Sequence, residues 1–345
     1  MTEEAIPLSQ LTLPARAGER LALGGVRGGA LAMLIAEAAS RHAGLVLVIT
    51  PDVQQAHQLE LEAGFFLHKA QIPVQAFPDW ETLPYDVFSP LPELVSQRLT
   101  ILHGLQQQKR GVLVVPAGTL MQRLCPPEFV HRHSLMIRQG ETLDLERMRA
   151  TLEQAGYRYV SQVLEHGEFT VRGSLLDLFP MGSDLPYRID LFDDEIDSIR
   201  TFDTETQRTI DKVERISMLP GREFPTDEAA IKAFRQNYRA SIEHDPNTSL
   251  IYRDVSDGHF PGGIEYYLPL FFEQTATLFD YLPEDTLAIA PTDLAEATGR
   301  FDDMVADRFE QRGHDTERPL LPPGMLFMAD DEVSAALKQH AGLLW

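Results

Sequence analysis

The sequence predicts an α/β protein: a parallel-sheet domain interrupted by a small α+β domain that contains an antiparallel meander. Three observations carry this. The runs Leu45-Val46-Leu47-Val48-Ile49 and Val112-Leu113-Val114-Val115 are continuously apolar, as strands buried on both faces must be, and helical spacing lies between them in a βαβ pattern. Between 169 and 202 the texture changes to strict alternation broken by short turns, the mark of antiparallel strands with one buried face. After Pro220 the α/β texture returns.

Composition narrows the function. A length of 345 residues suits two or three domains. With 43% apolar and 24% charged residues the chain is an ordinary globular one. Lys+Arg 30 against Asp+Glu 52 leaves a net charge of −22, which repels phosphate backbones and disfavours stand-alone binding to nucleic acid. A single cysteine, Cys125, excludes an internal disulfide and suits a reducing compartment. The N-terminus lacks a basic segment followed by an apolar one, so a cytoplasmic location is expected. The end at His340-Ala-Gly-Leu-Leu-Trp345 reads as a cut inside a longer protein.

Taken in order, the first element is a glycine-rich turn, Gly24-Gly25-Val26-Arg27-Gly28-Gly29, between an apolar run and a helix reaching about Ala43. A nucleotide-binding domain keeps its phosphate loop in such a place, with the pattern G-x-x-x-x-G-K-[ST]. Counted from Gly25, the second glycine falls on Ala30, the lysine on Leu31 and the magnesium-binding hydroxyl on Ala32. The cation and the hydroxyl are both missing, so neither ATP nor magnesium is expected to bind. The strand at 45–49 is followed by a helix over 54–64, a short strand at 74–77, a helix over 93–108 and the strand at 112–115. Trp80 and Tyr85 read as aromatics that pack a loop. His131 and His133 lack a third ligand and read as surface histidines. Asp144 is an N-cap candidate for a helix that sets Leu145, Met148 and Leu152 at core spacing, to cover the meander.

In the meander, Phe169-Thr170-Val171-Arg172 alternates, Gly173-Ser174 offers a bulge or kink, and Leu175–Phe179 ends at Pro180. Tyr187-Arg188-Ile189-Asp190-Leu191-Phe192 sends Tyr187, Ile189 and Leu191 to one face and Arg188, Asp190 and Phe192 to the other. Asp193-Asp194 turns the chain into a third strand over 196–202. The outer face thus shows an aromatic beside arginines, residue types that dominate protein interfaces. On charge alone, both arginines would be partners of Asp190, Asp193 and Glu195. Further on, Thr226 is the expected cap of a helix carrying Ile231, Phe234 and Tyr238, and Asp330 or Asp331 that of the last helix.

The stretches HGEFTVRGSLLDLFP and PYRIDLFDDEIDSIRTFD resemble the second domain of UvrB and of the transcription-repair coupling factor family, and the likeness runs from about Leu13 to Pro322. It is closer to the coupling factors, since Thr170 stands where UvrB carries a further arginine. The resemblance implies a RecA-like, degenerate helicase-type domain over 1–132, a UvrA-binding domain over 133–213, and an α/β segment over 214–345 that completes the first domain. In TLFDYLPEDTLAIAPTD the acids of the family's second nucleotide motif fall on Ala290-Pro291-Thr292-Asp293, so that motif is also lost. The resemblance further implies that Arg172, Arg188 and Phe192 anchor UvrA; because these side chains are expected to point away from the core, truncating them is expected to leave folding nearly unaffected. RNA polymerase, DNA and ATP would be handled by other parts of the intact protein, and its C-terminal part would mask the UvrA-binding face. A divergent ATPase and a purely structural or autoinhibitory module are the alternatives.

Overall fold

The computed structural model describes residues 8–26 and 28–345. Its larger sheet contains β1 (Arg20–Ala22), β2 (Leu45–Thr50), β3 (Val74–Ala76), β4 (Gly111–Pro116), β13 (Leu287–Ala290) and β14 (Ala341–Leu344). All are parallel, in the order β1-β14-β13-β2-β4-β3. Every residue of β2 and β4 is buried, because helices cover both faces. Val46, Val48, Val112 and Val114 pack under the helices Gly29–Arg41 and Val53–Leu67. Leu45, Leu47, Leu113 and Val115 pack under the helix Pro92–Leu105. A period of two therefore divides each apolar run between two cores.

Between β4 and β13 the chain builds β5 (Leu135–Arg138), β6 (Arg158–Tyr159), β7 (Glu168–Arg172), β8 (Leu175–Phe179), β9 (Tyr187–Phe192), β10 (Glu195–Phe202), β11 (Thr209–Val213) and β12 (Arg215–Met218). Strands β6 to β11 form a second sheet in the order β11-β10-β9-β8-β7-β6, wider than the three-stranded meander expected from alternation. Only its β6 edge is parallel. Strands β5 and β12 pair as a separate ribbon. Gly173-Ser174 is not a bulge: Arg172 pairs directly with Leu175, and Gly173 turns the chain at φ 62°, so two residues close a hairpin. Asp193-Asp194 closes the next hairpin likewise, with Asp193 at φ 56°.

The inner face of this sheet holds Phe169, Leu176, Leu178, Ile189 and Ile199, covered by Leu152 of the helix Leu145–Gln154. Asp144 caps that helix by accepting from the Arg147 N–H, as expected. These side chains are continuous with the Leu45 and Leu113 core, so one hydrophobic interior runs beneath both sheets. Two caps differ from expectation. Asp227, not Thr226, caps the helix Glu228–Ser241 by accepting from the Ala230 N–H, while the Thr226 hydroxyl donates to the Gln154 carbonyl. The helix Asp330–Leu337 starts one residue past Ala329, whose N–H donates to the Glu332 carboxylate reaching back, while the Asp330 carboxylate accepts from Thr298. Thr226 and Asp330 are each engaged by a neighbouring element, and Asp331 accepts from the adjacent Glu332 N–H instead.

One polar contact lies wholly inside this apolar frame. Arg98, on the helix Pro92–Leu105, donates through Nε to the Glu223 carboxylate at 2.6 Å, with side-chain exposures of 0% and 2%. Arg98 Nη1 donates to the Pro78 carbonyl, and Trp80 Nε1 donates to the other Glu223 oxygen. The guanidinium lies over the Phe77 and Trp80 rings. Removing one partner of a buried pair leaves the other charge without compensation. Glu223→Ala is therefore expected to lower unfolding free energy by about 3–5 kcal/mol. Urea denaturation of the parent and the variant measures this, and an unchanged midpoint would contradict it.

Candidate functional site

Alternation carries Thr170 and Arg172 of β7, Asp177 and Phe179 of β8, and Arg188, Asp190 and Phe192 of β9 to the outer face of the second sheet. Register aligns Thr170, Asp177, Arg188, Arg200 and Lys212 in one row across the strands. Second in that row, between Thr170 and Arg188, is Asp177, only 1% exposed. Its Oδ1 accepts from Arg188 Nε at 2.7 Å; its Oδ2 accepts from Arg188 Nη2 at 2.8 Å and from Arg172 Nη2 at 2.5 Å. The bidentate fork is the strongest geometry open to an arginine and a carboxylate. Hydrogen bonding to Asp177 raises the Arg188 guanidinium pKa above its ordinary value. Arg188 Nη1 also donates to the Gln207 carbonyl, and its plane lies 5.0 Å from the Phe202 ring centroid.

The three predicted anchors therefore differ. Phe192 is 74% exposed, and Arg172 keeps half of its side chain in solvent. Both sit at the hairpin end of the sheet, where the Leu191 N–H donates to the Ser174 carbonyl. Arg188, with its side chain 19% exposed, is spent on Asp177 and Gln207. Its partner is Asp177 rather than Asp190, Asp193 or Glu195. Arg188 neutralises a buried charge, so its truncation is expected to cost stability, unlike that of a free surface arginine. At the opposite end the outer face is not bare. Val163 packs with Phe179 and Phe202, and His166 stacks on Phe179. The signal for Asp177 was a lone acid inside Leu175-Leu176-Asp177-Leu178-Phe179, legible once β8 was set beside β9.

The glycine-rich turn has a different character. Gly25 and Gly28 both take positive φ, and Gly25 and Ala30 are exposed. Leu31 and Ala32, in the lysine and hydroxyl positions, point into the core beside Leu34 and Val46. At 290–293 the last strand fills the space: the Trp345 N–H donates to the Ala290 carbonyl and the Thr292 N–H to the Trp345 carbonyl. Trp80 and Tyr85 are buried, and the Tyr85 hydroxyl donates to the Leu321 carbonyl. His131 and His133 are half-buried, not fully exposed, and each ring nitrogen contact is with the protein, at Gln106 and at the Phe129 carbonyl. Among the described residues no cluster of His, Cys, Asp or Glu could hold a metal ion, and no helix is long and apolar enough to cross a membrane.

Comparison with known proteins bears on the second sheet directly. A family model described as the UvrB interaction domain matches residues 135–224, which contain all of β5 to β12. The chain is 50% identical over 328 residues, 95% of its length, to the transcription-repair-coupling factor of Escherichia coli strain K12, and covers 28% of that protein. It is 47% identical over 334 residues, 96% of its length, to the Haemophilus influenzae transcription-repair-coupling factor, covering 29%. The Staphylococcus aureus strain Mu50 factor is 32% identical over 220 residues, 64% of this chain and 19% of that protein. The chain thus spans less than a third of the length of the curated relatives it matches. With half its residues identical along nearly all of its length and an interaction domain within it, the chain belongs to the transcription-repair-coupling factor family.

Proposed function

We propose that this chain is the N-terminal, UvrB-like module of a coupling factor that recruits UvrA to stalled RNA polymerase for nucleotide excision repair, with the hairpin end of the second sheet's outer face as the binding surface. One observation carries the reading: inside the matched interaction domain, Phe192 stands 74% exposed beside a half-free Arg172 held by a buried carboxylate. An exposed aromatic next to a fixed arginine is the usual make-up of an interface anchor. On this reading 133–213 is the recruiting domain, and 1–132 with 214–345 form a RecA-like domain that has lost its nucleotide chemistry. Contacts to polymerase and DNA, and the ATP and magnesium that drive translocation, belong to other parts of the intact cytoplasmic protein. Its C-terminal part would mask the recruiting face.

A titration of the chain against purified UvrA tests the reading. Phe192→Ala and Arg172→Ala should each weaken binding at least about tenfold; Phe192→Ala should shift stability by less than about 0.5 kcal/mol, and Arg172→Ala should cost about 0.5–1.5 kcal/mol, because it removes one hydrogen bond to the buried Asp177. Arg188→Ala should lose both binding and about 1–3 kcal/mol of stability, because Asp177 then keeps a single, half-exposed partner. Parent affinity in all three variants would place the UvrA site elsewhere. Failure of the parent chain to bind UvrA would favour a structural module.

A second expectation concerns nucleotide. Mg-ATP should neither turn over nor raise the melting temperature, since the position that needs a lysine is a buried leucine. A ligand at about 100 times its Kd adds about 2.7 kcal/mol to stability, so thermal shift reads the difference, and stabilisation or measurable turnover would favour a divergent ATPase.

A further inference from the structure

Four adjacent strands of the parallel sheet, β3, β4, β2 and β13, open at their carboxyl ends into one cleft of about 470 Å³. Its walls are residues 79–84 after β3, 116–122 after β4, 51–53 after β2, and the inner side of the helix Leu294–Arg312 after β13. This edge is where parallel α/β sheets take ligands, because the loops that follow neighbouring strands converge there. The cleft is separate from the glycine-rich turn, which follows β1 at the far edge of the sheet, and from the outer face of the second sheet.

Its chemistry is specific. The body is apolar, with Phe301 and Met304 on one side and Val53 and Leu83 half-exposed at the mouth. At the base, Asp79 is held rigidly. Its Oδ1 accepts from the Glu81 N–H, and its Oδ2 accepts from the Thr119 hydroxyl and from Gln122 Nε2. The Asp79 contact sets the Gln122 amide so that Oε1 is turned away from it. Gln122 is 5% exposed, and that Oε1 has no hydrogen-bond partner. A buried acceptor without a donor is costly, and an incoming N–H would remove the cost. Glu81 holds a left-handed φ of 56°, strain for a residue with a side chain, where it adds a carboxylate to the lining. The lining carries three carboxylates, Asp79, Glu81 and the helix-capping Asp52, against one arginine, Arg300, so its net charge favours a cation and repels phosphate.

We propose that this cleft binds a small organic cation with an apolar body and N–H donors, of the amidine or aromatic amine class. The cation lies toward Asp79 and Gln122 Oε1, and the body lies against Phe301 and Met304. Benzamidine is a suitable probe, titrated into the whole chain by calorimetry and by saturation-transfer NMR. A ligand of that size should bind with a Kd on the order of 1 mM. Benzoate, with the same ring and opposite charge, and neutral benzyl alcohol should bind at least about tenfold more weakly. Gln122→Met and Asp79→Asn should weaken benzamidine about tenfold. Arg300→Gln changes an exposed side chain and leaves folding intact, so it keeps the test readable if Asp79→Asn is destabilised; it should tighten binding about threefold. No saturable benzamidine binding, equal binding of benzoate, or unchanged affinity in both Gln122→Met and Arg300→Gln would overturn the proposal.

Discussion

The Arg98–Glu223 pair is the contact on which the two sheets' arrangement depends. Arg98 belongs to the helix between β3 and β4, and Glu223 to the chain leaving the β5–β12 ribbon that follows the second sheet. Their 2.6 Å contact, with the Pro78 carbonyl and the Trp80 indole bound to the same pair, ties together segments 125 residues apart. A buried ion pair adds little net stability over an apolar substitute, but it tolerates few alternative geometries because a displaced partner leaves a bare charge in low dielectric. Its effect here is therefore on arrangement: it sets where the second sheet meets the first, and it fixes the loop after β3 that walls the cleft.

The same principle recurs at the surface. Asp177 is nearly inaccessible, although it sits on the face of a sheet that otherwise looks outward, and two arginines close over it. Holding Arg172 to a buried carboxylate removes much of the side-chain freedom that binding would otherwise have to restrict, which favours an anchor that is already in place. Phe192 needs no such support, since a strand terminus and the adjoining hairpin present it. Val163 and His166 cover the opposite end of the face, while Phe192 and Arg172 stand open at the hairpin end.

The parallel sheet carries packing and main-chain pairing at the two places where nucleotide motifs would carry charge. The glycine-rich turn survives with its positive φ values, but the helix after it turns Leu31 and Ala32 inward and spends them on packing. The turn after β13 is occupied by backbone pairing with Trp345. Both places are filled by hydrophobic contact or by main chain, whereas the carboxyl edge opens into the cleft beside Asp79.

What the sequence determined by itself is the set of elements and their faces. The continuous apolar runs at 45–49 and 112–115 could only be doubly covered strands, the alternation in Tyr187–Phe192 named its buried face, and the substitutions at 31 and 32 were plain from the motif. These follow from periodicity and residue type, which act over a few neighbours. Tertiary structure alone decided which strands lie side by side, and with that the partners. Asp177 meets Arg188 only because β8 pairs with β9 in that register. Asp227 rather than Thr226 caps its helix because Gln154 claims the threonine. Three distant connections and a helix surround one cleft only because β3, β4, β2 and β13 are neighbours. The physical reason is that pairing and burial are settled by the free energy of the whole packed chain, where residues far apart in sequence compete for the same partner.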